Sequence, residues 1–449
     1  MVFGYGVRLF TAAALVVAFG HGFAAGEDWT RFRGENGSGV VASANVPSTW
    51  SETSNLRWSV ELPGPGSSSP IVLGDRAYVT CYTGYGVTRE DAGDVGKLER
   101  HLICFDLKKG KEIWRATVAA SEAEDEWKGF IQEHGFASST PATDGKRIFM
   151  QCGKTGLAAF DLDGKQLWIK PMGAESDPYK WGDGASPIVW NDLVIANAGI
   201  TGHKIMAFKA DSGEVAWEHG DESFTNNWST PILVKTANRE ELVCAAPGSI
   251  FGLDPATGKQ LWTAKSTIDQ TVCGSLVQHD GAVFLMGGQK GDAIGIRCGG
   301  DGDVSETHTL WTGNLRSGIC TPVVIDGRMY WSSQGMAFCA SCETGEEIFR
   351  ERIKVEGAAE ESAEGQKRSG PAGDYASPIA VGNRILVIRA KGQSQWWEAS
   401  KEYLPSGDSE FASDKSLYNG TPAVAGDAIL IRSNKKLYCV SKVDDSVAK

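Results

Sequence analysis

A short signature recurs along this chain and limits what it can fold into: a small residue, then Ser or Thr, then Pro, then an apolar run. It stands at Ser68-Ser69-Pro70, Ser139-Thr140-Pro141, Ala185-Ser186-Pro187, Ser229-Thr230-Pro231, Cys320-Thr321-Pro322, Ala376-Ser377-Pro378 and Gly420-Thr421-Pro422. The spacing doubles once, and a degenerate copy, Gly274-Ser275-Leu276 followed by VQHDGAVFL, fills the gap, which makes eight copies. A second signature follows most of them: an apolar run, an acidic turn with Gly, and a Trp shortly after Gly-Lys. It ends at Trp114, Trp168 and Trp262, in looser form at Trp217 and Trp311, and with Phe349 in place of Trp. Self-similarity at a fixed period of about forty residues, with four short apolar runs per unit, is the pattern of a β-propeller blade.

A lone blade cannot bury both faces, so neighbours must stack around an axis. The small residue before Ser/Thr-Pro suits the crowded inner strand, and the Trp suits an outer strand where its ring covers the next blade. The segment NLRWSVELPG, with Trp58, precedes the first copy and reads as an outer strand without its own blade; the last copy ends at LYCVSK with no Trp strand after it. The N-terminal strand is therefore expected to complete blade eight, Leu56–Leu62 pairing with Leu437–Val440, which removes an exposed sheet edge. The expectation is an all-β, eight-bladed propeller of four-stranded antiparallel blades, one domain over residues 27–449. No long stretch after residue 26 carries helical periodicity. Residues 84–100 and 119–134 read as polar insertions, EGAAEESAEGQKRSGPAG as an acidic, Gly-rich insertion before blade seven, and QWWEASKEYLPSGDSEF as a worn blade lacking the turn signature.

Residues 1–26 read as an export signal: Arg8, a short apolar core Leu9–Gly20, then Ala24, Ala25 and Gly26. That core is too short to span a membrane, and no Cys follows the expected cleavage point. A periplasmic or secreted, monomeric protein is expected. The formal net charge of −12 argues against nucleic acid, whose binders present basic surfaces.

The repeats resemble those of the quinoprotein alcohol dehydrogenases and of the outer-membrane-assembly propeller lipoprotein. The stretches DWTRFRGENGSGVV, NLRWSVELPGPGSSSP, HGFASSTPATDGKRIF and GIRCGGDGDVSETHTLW are similar to a large group of exported bacterial PQQ-like propellers. The dehydrogenase resemblance implies a pyrroloquinoline quinone stacked between a Trp and a disulfide of adjacent cysteines, beside a Ca²⁺. This chain has no adjacent Cys pair, and it lacks the lipoprotein's anchor Cys.

No catalytic residue and no metal ligand is assigned. The histidines form no HxxxH or HExxH pair, and no Gly-x-Ser-x-Gly elbow or P-loop is present. Asp301, Asp303 and Glu306 in GGDGDVSE could suit a hard cation, but a solvated hairpin explains them more simply. Of the ten cysteines, Cys104, Cys339 and Cys439 stand where other copies have Ala or Gly, and Cys320 where they have Ser, Ala or Gly, so packing as small hydrophobes is preferred over a structural disulfide or a redox use of the CxxC at Cys339 and Cys342. The connections that lead into each Ser/Thr-Pro rim the channel and carry His134, Trp181, Asp183, Trp228, Arg316, Asp374, Tyr375 and Tyr418. Aromatics mixed with charges there could hold a ligand or seal the funnel. Arg33 should tie the N-terminal arm to the ring through carboxylate or carbonyl contacts. Three functions remain open: a non-enzymatic binding or assembly scaffold, which is preferred; a quinone-dependent oxidoreductase; and a carbohydrate- or peptide-binding module. The partner is expected at a propeller face.

Overall fold

The computed structural model describes Met1 and residues 28–221, 223–287, 290–354 and 374–442. The expected export signal and the insertion EGAAEESAEGQKRSGPAG lie outside them, Met1 apart. Eight antiparallel sheets follow one another around an axis: blade 1 at 71–119, blade 2 at 142–170, blade 3 at 188–219, blade 4 at 232–265, blade 5 at 277–314, blade 6 at 323–352, blade 7 at 379–409 and blade 8 at 423–441. Blade 8 takes its outermost strand from Leu56–Glu61, with Leu56 opposite Val440, Val60 opposite Leu437 and Glu61 opposite Lys436. The ring thus closes as the repeat count requires. Innermost hairpins turn where positive φ is needed; at Asp326-Gly327 both residues adopt it, at 47° and 71°.

The Ser/Thr-Pro signature has a specific physical role. The backbone N–H of each Ser or Thr donates to the hydroxyl of its counterpart in the next blade. Ser69 donates to Thr140, Thr140 to Ser186, Ser186 to Thr230, and Thr230 to Ser275. Ser275 donates to Thr321, Thr321 to Ser377, Ser377 to Thr421, and Thr421 back to Ser69. This closed ring of hydrogen bonds stitches the inner edges together. Pro can follow because it opens the strand, where no ladder N–H is demanded of it. Replacing Thr140 by Val keeps the shape and strands the Ser69 N–H, which is 2.9 Å from the lost oxygen. The expected cost is about 1–3 kcal/mol in urea unfolding, recovered by Thr140→Ser; equal midpoints for Thr140→Val and the parent would show that the ring contributes nothing.

At the periphery, the tryptophans dock onto glycines. The indole of Trp311 donates to the Cys342 carbonyl at 2.8 Å and covers Gly345 of blade 6, where an added Cβ would stand 2.4 Å from the ring. Trp58, Trp114, Trp168 and Trp217 repeat this on Gly110, Gly164, Gly213 and Gly258 of the following blade. Trp168 and Trp217 are buried as expected, while Trp114 is half-buried. Trp262 differs. Blade 5 carries an insertion in place of the Gly turn, and its segment Gly302–Asp303 adds a fifth strand, parallel, to the outer edge of blade 4. Fully buried, Trp262 donates instead to the buried carboxylate of Glu241 at 2.8 Å.

The segment that precedes the closing strand also crosses the channel. Trp29 bridges Val72 of blade 1, and the Thr30 carbonyl accepts from Thr143 of blade 2. Val40–Val41 then lies parallel to the inner strand of blade 7. Arg33 is buried and donates to the carbonyls of Thr321, Pro322 and Pro378, so the tie runs through carbonyls. Five blades of the ring are gathered by the thirteen residues 29–41, because Arg31 reaches Pro231 at the head of blade 4 and Asn36 pairs with Leu233 within it.

The insertions around blades 1 and 2 are less polar in effect than in composition. Tyr85, Leu98, Trp127, Ile131 and Phe136 pack into a separate apolar cluster against Tyr82. Arg100 and Glu124, both buried, pair at 2.8 Å, and Lys154 pairs with Asp125 at 2.9 Å, which pins this shelf to the ring. Alternating acids and aromatics hid the cluster from a composition-based reading.

Candidate functional site

One end of the channel opens into a cavity of about 170 Å³. Phe32, from the arm, lines it together with all eight hydroxyl-bearing residues of the ring. One wall is aromatic. Trp181 and Trp228 stand 4.9 Å apart at 37°, Phe130 lies 5.3 Å from Trp181, and Tyr179 lies 5.1 Å from it. The loop that presents Trp181 is organised by Asp177, a buried carboxylate accepting the backbone N–H groups of Tyr179, Trp181 and Gly182. The Trp228 indole donates to the Gly182 carbonyl at 2.6 Å, locking the two loops together.

A polar wall adjoins it, His134 bonding the backbone of Trp181. His134 ends a short helix, Ile131–His134, with Nδ1 2.6 Å from Ser138 Oγ. Burial holds its pKa below the usual imidazole value, so it is neutral at pH 7. Asn419 donates to the Glu133 carbonyl at 2.8 Å, leaving its Oδ1 buried and unpartnered, as is the Tyr375 hydroxyl.

Of the residues expected at the rim, His134, Trp181, Trp228 and Tyr375 come together around this cavity. The others do not line it. Asp183 faces a small side pocket with Arg100, Glu124 and Lys154, where Gln151 donates to it at 2.6 Å. Asp374 accepts from the Ala390 N–H at 3.0 Å, and Arg316 is exposed. Tyr418 is buried in blade 8, stacked on Tyr438. Phe32, Phe130, Tyr179, Asn419 and the hydroxyl ring were not expected; only the ring had a signal, the repeated Ser or Thr itself.

The donor set does not suit a quinone held over Ca²⁺. Among the described residues no Asp or Glu lines the cavity, and no adjacent cysteines exist to form a lid. All ten cysteines are free thiols, and Cys273 alone is not fully buried. In GGDGDVSE, Asp301 pairs with Arg239 at 3.2 Å and Asp303 accepts from Ser305, so both carboxylates have partners. Among the described residues no cluster of three or more metal-ligating side chains occurs.

Burial pushes the Asp183 carboxyl up to about 6, the Gln151 hydrogen bond opposing that shift. The folded chain therefore holds this proton more tightly than the unfolded chain, and the associated stability is lost as pH rises through about 6. Asp183→Asn is expected to raise the urea midpoint at about pH 8 and leave it unchanged near pH 4, where the parent residue is already neutral in the fold. The same difference at both pH values would contradict this assignment.

A family model described as outer membrane protein assembly factor BamB matches residues 98–351. Outer membrane protein assembly factor BamB of Burkholderia pseudomallei (strain K96243) is 26% identical over 384 residues, covering 83% of this chain and 83% of that protein. Among solved structures, BamB from Moraxella catarrhalis has a TM-score of 0.58 at 14% identity, over 86% of this chain and 99% of that one. A europium-containing methanol dehydrogenase has a TM-score of 0.62 at 11% identity, over 92% of this chain and 98% of that one. At these identities the two structures share the fold with this chain, and the fold alone.

Proposed function

The chain belongs to the outer membrane protein assembly factor BamB family, and from that premise we propose that it is an exported, non-enzymatic scaffold for the assembly of outer membrane proteins. The observation that carries this reading is the division of labour among its distinctive residues. The Ser/Thr ring, the docked tryptophans and the channel-crossing arm all build and close the propeller. The cavity they leave holds no catalytic set among the described residues: His134 is neutral and bonded to Ser138, and no carboxylate faces it. A rigid ring with broad faces suits partner binding, where surface rather than chemistry is needed.

On this reading the chain acts in the periplasm after removal of residues 1–26 and meets protein partners on a propeller face. No helix among the described residues is long and apolar enough to cross a membrane. The test is genetic and chemical. Deleting the gene in its host should lower the level of β-barrel proteins in the outer membrane, and the purified chain should not oxidise alcohols or sugars when given pyrroloquinoline quinone and Ca²⁺. An unchanged outer-membrane profile would remove the scaffold reading. Quinone-dependent oxidation would replace it with the dehydrogenase reading.

A further inference from the structure

We propose that the channel cavity binds a neutral saccharide, seated with the flat carbon face of one sugar ring on Trp181 and Trp228. This goes beyond the scaffold reading and stands or falls separately from it.

Four observations converge. First, charge: among the described residues lining the cavity there is no Lys, Arg, Asp or Glu, and burial keeps His134 neutral. An ion would enter without a counter-charge, at a large desolvation cost. Second, the hydroxyl ring. Each of its eight oxygens accepts one backbone N–H, as described above, and among the described residues none donates its own proton to a protein acceptor. The ring therefore offers the cavity a circle of O–H groups with spare hydrogen-bonding capacity. Third, the polar wall adds Asn419 Oδ1 and the Tyr375 hydroxyl, both buried and unpartnered, on a side chain 7% exposed in the case of Asn419. Fourth, the aromatic wall is apolar, and its outer members Phe130 and Tyr179 are each 40% exposed, extending it past the mouth.

A ligand that satisfies all four has an apolar face, many hydroxyls on its edge and no charge. One phenol or indole side chain would meet the aromatic wall but bring only a single polar group. A sugar ring answers several at once, because hydroxyls both donate and accept. Orphaned polar groups in a site reject ligands that cannot pair them, so the unpaired set favours the polyhydroxylated ligand.

The experiment titrates the purified full chain with glucose, galactose, mannose, N-acetylglucosamine, maltose and cellobiose, reading Trp fluorescence and calorimetric heat. At least one should bind saturably in the millimolar range or tighter. Trp181→Ala should weaken that binding roughly tenfold, and Trp181→Phe should restore part of it. Trp228→Phe, which keeps an aromatic face but loses the bond to Gly182, should weaken binding with the thermal transition intact. If no sugar binds to the folded chain, the proposal fails. It fails equally if binding is unchanged in folded Trp181→Ala, or if N-acetyltyrosinamide binds while no sugar does, which would mark a pocket for a peptide side chain.

Discussion

A chain lacking residues 28–62 is expected not to fold as a cooperative unit. The deletion takes the outer strand of blade 8, whose register from Leu56–Val440 to Glu61–Lys436 joins the two ends of the chain in one sheet. It also removes Trp29 and Trp50, both buried in the cluster between blades 7, 8 and 1. Removing a buried Trp costs about 3–5 kcal/mol, so two of them approach the whole stability of a typical domain, about 5–15 kcal/mol. The lost strand adds to that and leaves an open edge in blade 8, so aggregation is expected with unfolding. Thermal melting followed by near-ultraviolet circular dichroism would decide it. A sharp transition at the parent temperature would mean that blade 8 is stable with three strands and that the arm is an accessory.

The second large effect concerns the docked tryptophans. Trp311→Ala should cost about 3–5 kcal/mol, since it empties a buried site and frees the Cys342 carbonyl. Gly345→Ala should also be strongly destabilising, because its Cβ would meet the indole and its φ of 71° disfavours any side chain. The two effects should not add. Once Trp311 is Ala, the collision disappears and Gly345→Ala should cost only the backbone strain, of order 1 kcal/mol. A double-mutant cycle in urea measures this directly, and strict additivity would show that ring and glycine are not coupled.

These two results rest on features of very different legibility in the sequence. The blade count, the closure by Leu56–Glu61 and the outward tryptophans follow from repetition, since each needs only a period and an end effect. The hydrogen-bonded ring was half-visible: the Ser or Thr is conspicuous, but its partner lies in the next blade, and no single repeat contains the pair. The exception at Trp262 was hidden, because the strand Gly302–Asp303 that covers it comes from an insertion in another blade. The site was hidden for a related reason. Trp181 and Trp228 sit in separate connections, and only the Asp177 turn and the Trp228–Gly182 bond bring them to 4.9 Å. Among the eight rim residues, position before Ser/Thr-Pro selected the right loops but not the direction of each side chain. Tyr418 turned into blade 8, and Asp183 turned towards Arg100.

The closing strand has a consequence in time as well as in space. A chain threaded outward from its N-terminus delivers Leu56–Glu61 early and its partner Lys436–Ser441 last. Until then, the early strand has no ladder to join, and blade 8 cannot begin. Contacts so distant along the chain form slowly, because loop closure must come before they give any return. Blades 1 to 7 can pair their own hairpins locally while they wait. The nascent protein would therefore pass through a curved, unclosed stack, with Trp58 searching for Gly110 and the arm lying loose beside the channel. An exported propeller built this way spends its most aggregation-prone interval between emergence of the first blade and arrival of the last strand.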